Sequence, residues 1–323
     1  MRKLIIQIPC FNEESILALT LKDLPRSLPG FSSVEWLVID DGSSDHTLRV
    51  AQENGVDHIV RHPRNLGLAR AFMTGLDACL SFGADIIVNT DADNQYVAAD
   101  IPRLIAPIMA GEADIVVGSR DMDAIPDFSF TKKILQKLGS WLVRRISKTN
   151  IRDTTSGFRA YSRKAAMQMH VFNNHTYSLE TIIQAGQKGM SIRDVSIRTN
   201  PPTRKSKLIR STLGYIARSL LTMFRIFMTY QPFAFFVIPG TLAFLAGLFL
   251  GIRYLVFYFT DGGSGHVQSL IFTAILLVLG GTLILASLLA DLISVNRLLL
   301  ERVDWQVQKM GNSVEKNGKT KIG

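Results

Sequence analysis

This sequence predicts an α/β fold with a mostly parallel sheet, followed by a two-helix membrane hairpin. Three observations carry that expectation. Over residues 1 to about 120, short apolar runs alternate with helical patterns. One run, Ile86-Ile87-Val88-Asn89, ends abruptly in Asp91, Asp93 and Gln95, two acids and an amide at two-residue spacing. Toward the C-terminus, residues 233–259 are apolar apart from Arg253, and residues 270–289 carry no charge. Each is long enough to cross a bilayer as a helix.

The strand-like runs are residues 4–8, 36–39, 59–61, 86–89 and 115–117, with helical patterns at 14–24, 45–53, 68–82 and 101–109. Continuous apolar strands belong to parallel sheets covered by helices on both faces. Ligands in such sheets bind beyond the carboxyl ends of the strands. The first strand is followed by Pro9-Cys10-Phe11-Asn12-Glu13-Glu14, and the second by Asp40-Asp41-Gly42-Ser43-Ser44-Asp45, where Ser44 or Asp45 can cap the next helix. The third leads into Arg64-Asn65-Leu66-Gly67 and the fourth into the acidic triplet. No G-x-G-x-x-G follows strand one and no G-x-x-x-x-G-K-[ST] occurs, so a glycine cradle for a nucleotide is excluded. Further on, a short strand at 158–162 and a helix at 178–188, stopped by Gly189, are expected.

In extended backbone, side chains at i, i+2 and i+4 share a face. Asp91, Asp93 and Gln95 would then converge at the strand tip. Two carboxylates about 4 Å apart repel by roughly 4 kcal/mol at an effective dielectric of 20. A divalent cation removes that cost, and hard oxygen donors suit Mg²⁺ or Mn²⁺. The plainer alternative is a solvated acidic turn after a strand.

The chain has 323 residues, 47% hydrophobic, with a net charge of +9. Its basic residues flank the apolar segments: Arg204, Lys205, Lys207, Arg210, Arg218 and Arg225 before them, Arg297, Arg302 and Lys309 after. Few aromatics interleave with them, which argues against a nucleic-acid partner. The link at 260–268 has no Lys or Arg, so the positive-inside rule puts both ends of an integral membrane protein in the cytoplasm and the link outside. The first residues read as a strand and not a signal peptide. Cys10 and Cys79 are expected to be packed free thiols.

The expected layout is a cytoplasmic α/β domain over 1–204, a juxtamembrane amphipathic helix over 205–231, spans at about 233–259 and 268–291 within 232–293, and a tail over 294–323 that ends in disorder. Within the first part, 129–147 reads as an amphipathic helix with a Trp/Leu face and a basic face, suited to the membrane interface. Gly247 and Gly251 leave close helix packing, and a homo-oligomer, open.

Taken in order, Ile8-Pro9-Cys10-Phe11-Asn12-Glu13-Glu14, Asp40-Asp41-Gly42-Ser43-Ser44-Asp45-His46-Thr47, Arg64-Asn65-Leu66-Gly67 and Asp91-Ala92-Asp93-Asn94-Gln95 resemble the signature of GT-A-fold family 2 glycosyltransferases. Gly118-Ser119-Arg120, Asp153-Thr154-Thr155-Ser156-Gly157-Phe158-Arg159 and Ser206-Lys207-Leu208 narrow the resemblance to polyisoprenyl-phosphate glycosyltransferases, the dolichol-phosphate-mannose-synthase-like branch with two spans in bacteria. Each motif is weak alone, and the ordered set is specific. Phe11 stands where the family usually has Tyr, and the run before Ser206 lacks an expected Gly.

The resemblance implies a nucleotide pocket lined by Pro9, Phe11, Glu13, Asp41 and Asp91, and a Mg²⁺ or Mn²⁺ held by Asp91, Asp93 and Gln95. Catalytic roles would fall on Asp91, Asp93, Asp153 and Arg120, with Asp153 orienting a cation or the sugar. Arg120, Lys132, Lys133, Arg204 and Lys207 are the candidates for binding an acceptor phosphate. The expected reaction is inverting transfer of a sugar, glucose from UDP-glucose in the first instance and mannose from GDP-mannose in the second, to an undecaprenyl-phosphate-like lipid. A processive polysaccharide synthase would carry more spans and a Q-x-x-R-W motif, which is absent. A silent nucleotide-sugar-binding scaffold would have no need of the acidic triplet.

Overall fold

The computed structural model describes residues 2–120, 141, 143–147, 149–171, 177–201, 221, 224–261 and 267–319. The chain forms two compact units, Met1–Ser219 and Leu220–Gly323.

The first unit is built on seven strands: β1 (Arg2–Cys10), β2 (Phe31–Asp40), β3 (His58–Arg61), β4 (Ile86–Asn89), β5 (Ile115–Arg120), β6 (Arg159–Ser162) and β7 (Ile192–Ile197), in the order β3-β2-β1-β4-β6-β5-β7. All pairings are parallel except those of β6, which runs antiparallel between β4 and β5. The helices are α1 (Leu17–Asp23), α2 (Thr47–Glu53), α3 (Leu68–Ser81), α4 (Ile101–Met109), α5 (Arg163–Ala166) and α6 (Ser178–Gln187). Alternate residues of β1 enter two cores. Leu4, Ile6 and Ile8 pack with Leu17, Leu21 and Leu104, whereas Ile5 packs with Phe72, Leu76 and Cys79. Burial on both faces is why these strands are apolar without alternation.

The strands expected at 4–8 and 36–39 extend further, and 86–89 and the helix at 101–109 coincide with β4 and α4. The first helix begins at Leu17 rather than residue 14, because Glu14 is drawn into the loop, its Oε2 accepting from the His46 amide. Asp45 caps ahead of α2 by accepting from the Thr47 amide at 3.0 Å. Gly189, at φ 66, follows the end of α6 as expected. β7 has no counterpart among the expected strands. It lies at the sheet edge with charged and half-buried positions, so no apolar run announces it. Cys10 and Cys79 are buried free thiols.

Of the expected amphipathic helix over 129–147, residues 141 and 143–147 are described and helical, while 129–140 lie outside the described residues. Val143 and Ile146 are buried and Trp141 is 56% exposed. Gly186 of α6 meets this segment so closely that a Cβ there would clash with the Ser147 carbonyl.

The second unit holds α7 (Pro232–Asp261) and α8 (Val267–Lys319). Both contain stretches long and apolar enough to cross a membrane, Pro232–Thr260 and Val267–Asn296, with only 11% of each apolar window buried. Gly240, Gly247 and Gly280 lie between the two helices, and a Cβ at Gly280 would stand 2.6 Å from the Phe244 amide. Gly247 is therefore used inside the hairpin, as is Gly251 against Thr273. The tail departs from expectation: α8 continues to Lys319. Residues 295–310 hold neither Gly nor Pro, so nothing stops the helix where the apolar span ends. Of the juxtamembrane segment over 205–231, residues 221 and 224–230 are helical and 205–220 lie outside the described residues.

Candidate active site

The carboxyl ends of the parallel strands and the start of antiparallel β6 lie at one edge of the sheet, since Asn89 and Val117 both pair with Arg159. At this edge β4 stops at Asn89 and the chain turns through Ala92–Asn94, with Asn94 in the left-handed region at φ 54. The extended backbone expected for the triplet is thus replaced by a turn. Asp91, Asp93 and Gln95 nevertheless keep solvent contact while Ala92, Asn94 and Tyr96 are buried. Asn is among the few residues that accept this conformation readily.

Asp91 rests on Gly157. A Cβ at 157 would stand 2.8 and 2.9 Å from the Asp91 carboxylate oxygens and 2.9 Å from the Tyr177 hydroxyl. The Gly157 amide donates to Tyr96 Oη at 3.0 Å, and its carbonyl accepts from Asn89 Nδ2 at 2.7 Å. Behind them Asn89 also donates to Tyr177 Oη at 2.9 Å and accepts from Gln7 Nε2 at 2.8 Å, a buried polar ladder under the turn. Desolvation, reinforced by the Asp93 charge, raises the Asp91 carboxyl to about 6, with Arg120, Tyr96 and Arg159 opposing. A buried carboxylate raised in this way by its neighbour's charge marks a site short of positive charge.

Part of that charge comes from Arg120, at the end of β5. Its Nε donates to Asp153 Oδ2 at 2.7 Å and its Nη2 to Asp153 Oδ1 at 3.2 Å, with a further bond to Thr155 Oγ1 at 3.1 Å. Asp153 is buried and also caps its own loop, accepting from the amides of Thr155 and Ser156. Burial works against its ionisation, yet the bonds and charge of Arg120 outweigh it and hold the carboxyl below the usual range. The same exchange keeps Arg120 protonated despite its own desolvation, with Asp91 contributing. Asp153 thus holds the Arg120 fork in one orientation.

Arg159 carries no signal of its own in the sequence. It is fully buried and donates to the carbonyls of Thr154, Ser156 and Ser178 and to Thr181 Oγ1, at 2.7 to 2.9 Å. One guanidinium therefore ties the Asp153–Gly157 loop to the start of α6. A lone Arg opening a short strand carries no periodicity that would mark it. Tyr96 and Tyr177 were missed for the same reason.

The loops after β1 and β2, where the resemblance places the nucleotide pocket, knit together. Asn12, at φ 55, donates its amide to Ser43 Oγ at 3.0 Å and accepts from the Ser44 amide at 2.9 Å, and the Glu13 amide donates to Thr47 Oγ1 at 2.8 Å. Pro9 is buried and Phe11 is 42% exposed at the tip. Asp41 is 3% exposed. It accepts from the amides of Leu66 and Gly67 at 2.9 Å and meets His62 Nδ1 at 2.7 Å, so it organises the Arg64–Gly67 loop. Lys132, Lys133, Arg204 and Lys207 lie outside the described residues.

Comparison with known proteins adds the decisive observation. The sequence profile described as glycosyl transferase family 2 matches residues 5–169, about half of the chain and all of the strand ends from β1 to β6. The chain belongs to glycosyl transferase family 2. This family 2 glycosyltransferase is 29% identical over 214 residues to UDP-N-acetylglucosamine–dolichyl-phosphate N-acetylglucosaminyltransferase of Methanococcus voltae, covering 59% of this chain and 83% of that one. It is 27% identical over 207 residues to polyprenol monophosphomannose synthase of Mycolicibacterium smegmatis, covering 61% and 77%. Glucosyl-3-phosphoglycerate synthase from Mycobacterium tuberculosis, crystallised with Mn²⁺, UDP and phosphoglyceric acid, shares the GT-A fold at a TM-score of 0.53 and 18% identity, over 69% of this chain and 78% of that one.

The donor set fits a divalent cation. Asp91 and Asp93 offer hard oxygens in a spot where the Asp93 charge works against ionisation of Asp91. Among the described residues no group of three or more His, Cys, Asp or Glu is gathered to hold a metal. A cation here would complete its shell with water and substrate phosphate, as Mg²⁺ commonly does.

Proposed function

We propose that this glycosyltransferase moves a hexose from a nucleotide sugar to a polyisoprenyl phosphate at the cytoplasmic face of a membrane, with inversion and with Mg²⁺ or Mn²⁺ bound by Asp91, Asp93 and Gln95. The observation that carries this reading is the meeting of Asp91, Asp93 and the locked Arg120 at one sheet edge. Relatives named for polyprenol and dolichyl phosphate, and the two apolar helices, support a lipid acceptor.

When bound, the cation would neutralise charge building on the donor diphosphate as the C1–O bond breaks. The chain's own residues do the rest. Pro9, Phe11, Glu13 and Asp41 shape and support the base and ribose pocket. Asp153 fixes the Arg120 fork, and none of the described residues accepts from Arg120 Nη1. Oriented in this way, the guanidinium offers its charge to an acceptor phosphate. Lys132, Lys133, Arg204 and Lys207 add cationic positioning. Because a phosphate monoester is largely anionic at neutral pH (second pKa about 6), a strong general base is not required.

UDP-glucose is the donor we favour. GDP-mannose is the second reading, supported by relatives named for mannose transfer. The test is transfer of radiolabel from UDP-glucose or GDP-mannose to undecaprenyl phosphate by the full chain in detergent. Label in the lipid phosphate fraction is expected, dependent on Mg²⁺ or Mn²⁺, and no label from any nucleotide sugar would overturn the proposal.

A further inference from the structure

The turn that carries Asp93 between Asp91 and Gln95 is gripped from two sides by residues outside the chemistry described so far. From α1, Thr20 Oγ1 donates to the Ala92 carbonyl at 2.8 Å, and Asp23 Oδ2 accepts from Asn94 Nδ2 at 3.0 Å. From the other side comes the chain leaving β7. Asn200 Nδ2 donates to the Asn94 carbonyl at 2.9 Å, and the Asn200 amide donates to the Gln95 carbonyl at 2.9 Å. Tyr96 and Thr199 form an antiparallel bridge between these bonds and the sheet. Arg198 anchors the strap by donating its amide and its Nη2 to Asp100, each at 2.7 Å.

Asn94 needs such support. At φ 54 it occupies the left-handed region, which Asn tolerates better than most residues but which still costs backbone energy. Its side chain is held by Asp23 and its carbonyl by Asn200, so the twist at Asn94 is fixed at both ends of the residue. The strap also has a second tie to the site. β7 pairs with β5 so that Ile197 stands opposite Arg120, three residues before Asn200. One short segment therefore sets the turn relative to the guanidinium.

We propose that Asn200 and Asp23 are positioning residues of the cation-binding turn, fixing the Asn94 backbone so that Asp93 and Gln95 stand beside Asp91. This rests on the reading of Asp91 and Asp93 as a divalent-cation site.

The test is Mn²⁺ binding to the full chain in detergent micelles, followed by the EPR signal of free Mn²⁺, alone and with UDP or GDP. Asn200→Ala and Asp23→Ala are expected to weaken Mn²⁺ binding about five- to tenfold, the scale of one lost hydrogen bond. The Mn²⁺ concentration for half-maximal transfer should rise by the same factor. Asp23→Asn keeps an oxygen for Asn94 Nδ2 and should bind Mn²⁺ like the wild type. Asn94→Gly, which accepts this φ without its side-chain anchor, should weaken Mn²⁺ with little change in Tm. It serves as the readout if the alanine variants fail to fold. Wild-type Mn²⁺ affinity in the alanine variants or in Asn94→Gly would overturn the brace, as would an equal loss in Asp23→Asn and Asp23→Ala. Absence of Mn²⁺ binding by the wild type would instead remove the cation site itself, and the brace with it.

Discussion

At position 157 a methyl group has no room, because two carboxylate oxygens of Asp91 and the Tyr177 hydroxyl already occupy its place. Gly157→Ala is therefore expected to displace Asp91 and to cost about 1–3 kcal/mol of stability as overpacking. Thermal unfolding would register the stability loss, and label transfer would fall further than stability alone explains. Asp93→Ala should abolish turnover, and excess EDTA should do the same to the wild type. Full transfer in EDTA would refute the metal role. At this scale the sequence was informative about identity and misleading about geometry. Asp91, Asp93 and Gln95 do keep solvent contact, but through a turn at Asn94 and not through strand alternation. Asp41 was legible as a residue at a strand end. That its carboxylate is bound by the Leu66 and Gly67 amides was not, since those donors come from 25 and 26 residues further along the chain.

Between elements, the joint that matters most is Arg120 at the end of β5 with Asp153 in the loop before β6. The Asp153 side chain is fully buried, so removing Arg120 would strand a buried carboxylate at a cost of roughly 3–5 kcal/mol. The pH dependence follows from the lowered pKa of Asp153 in the folded chain. A carboxyl depressed by folding contributes stability that is fully present above its unfolded value of about 3.9 and is lost as pH falls through the folded value. Tm measured from pH 7 down to pH 3 should therefore fall more steeply for the wild type than for Asp153→Asn, which starts lower. β6 itself was anticipated in place but not in direction. Its antiparallel course depends on pairing with both β4 and β5, which no local pattern encodes.

For the whole molecule, one chain joins a glycosyltransferase unit to a pair of helices long and apolar enough to cross a membrane. That union suits a reaction whose donor is soluble and whose acceptor is a lipid. Replacing Lys132 and Lys133 by Ala should raise the KM for the lipid several-fold and leave the KM for the nucleotide sugar nearly unchanged. The opposite pattern would assign them to the donor. Gly247 and Gly251, legible in the sequence as contact positions, pack within the hairpin, so close helix packing is satisfied inside one chain.

Taken alone, the sequence determined the alternation of strands and helices, the acidic residues at the strand ends, the apolar hairpin and the family. These are encoded in periodicity, hydropathy and short ordered motifs, which depend on neighbours along the chain. Only the tertiary structure decided that Gly157 underlies Asp91, that Asp153 aims Arg120, that Arg159 ties two loops together and that Asn200 reaches back across the acidic turn. Each of those facts joins residues tens of positions apart, through hydrogen bonds and close packing that exist only once the sheet has assembled.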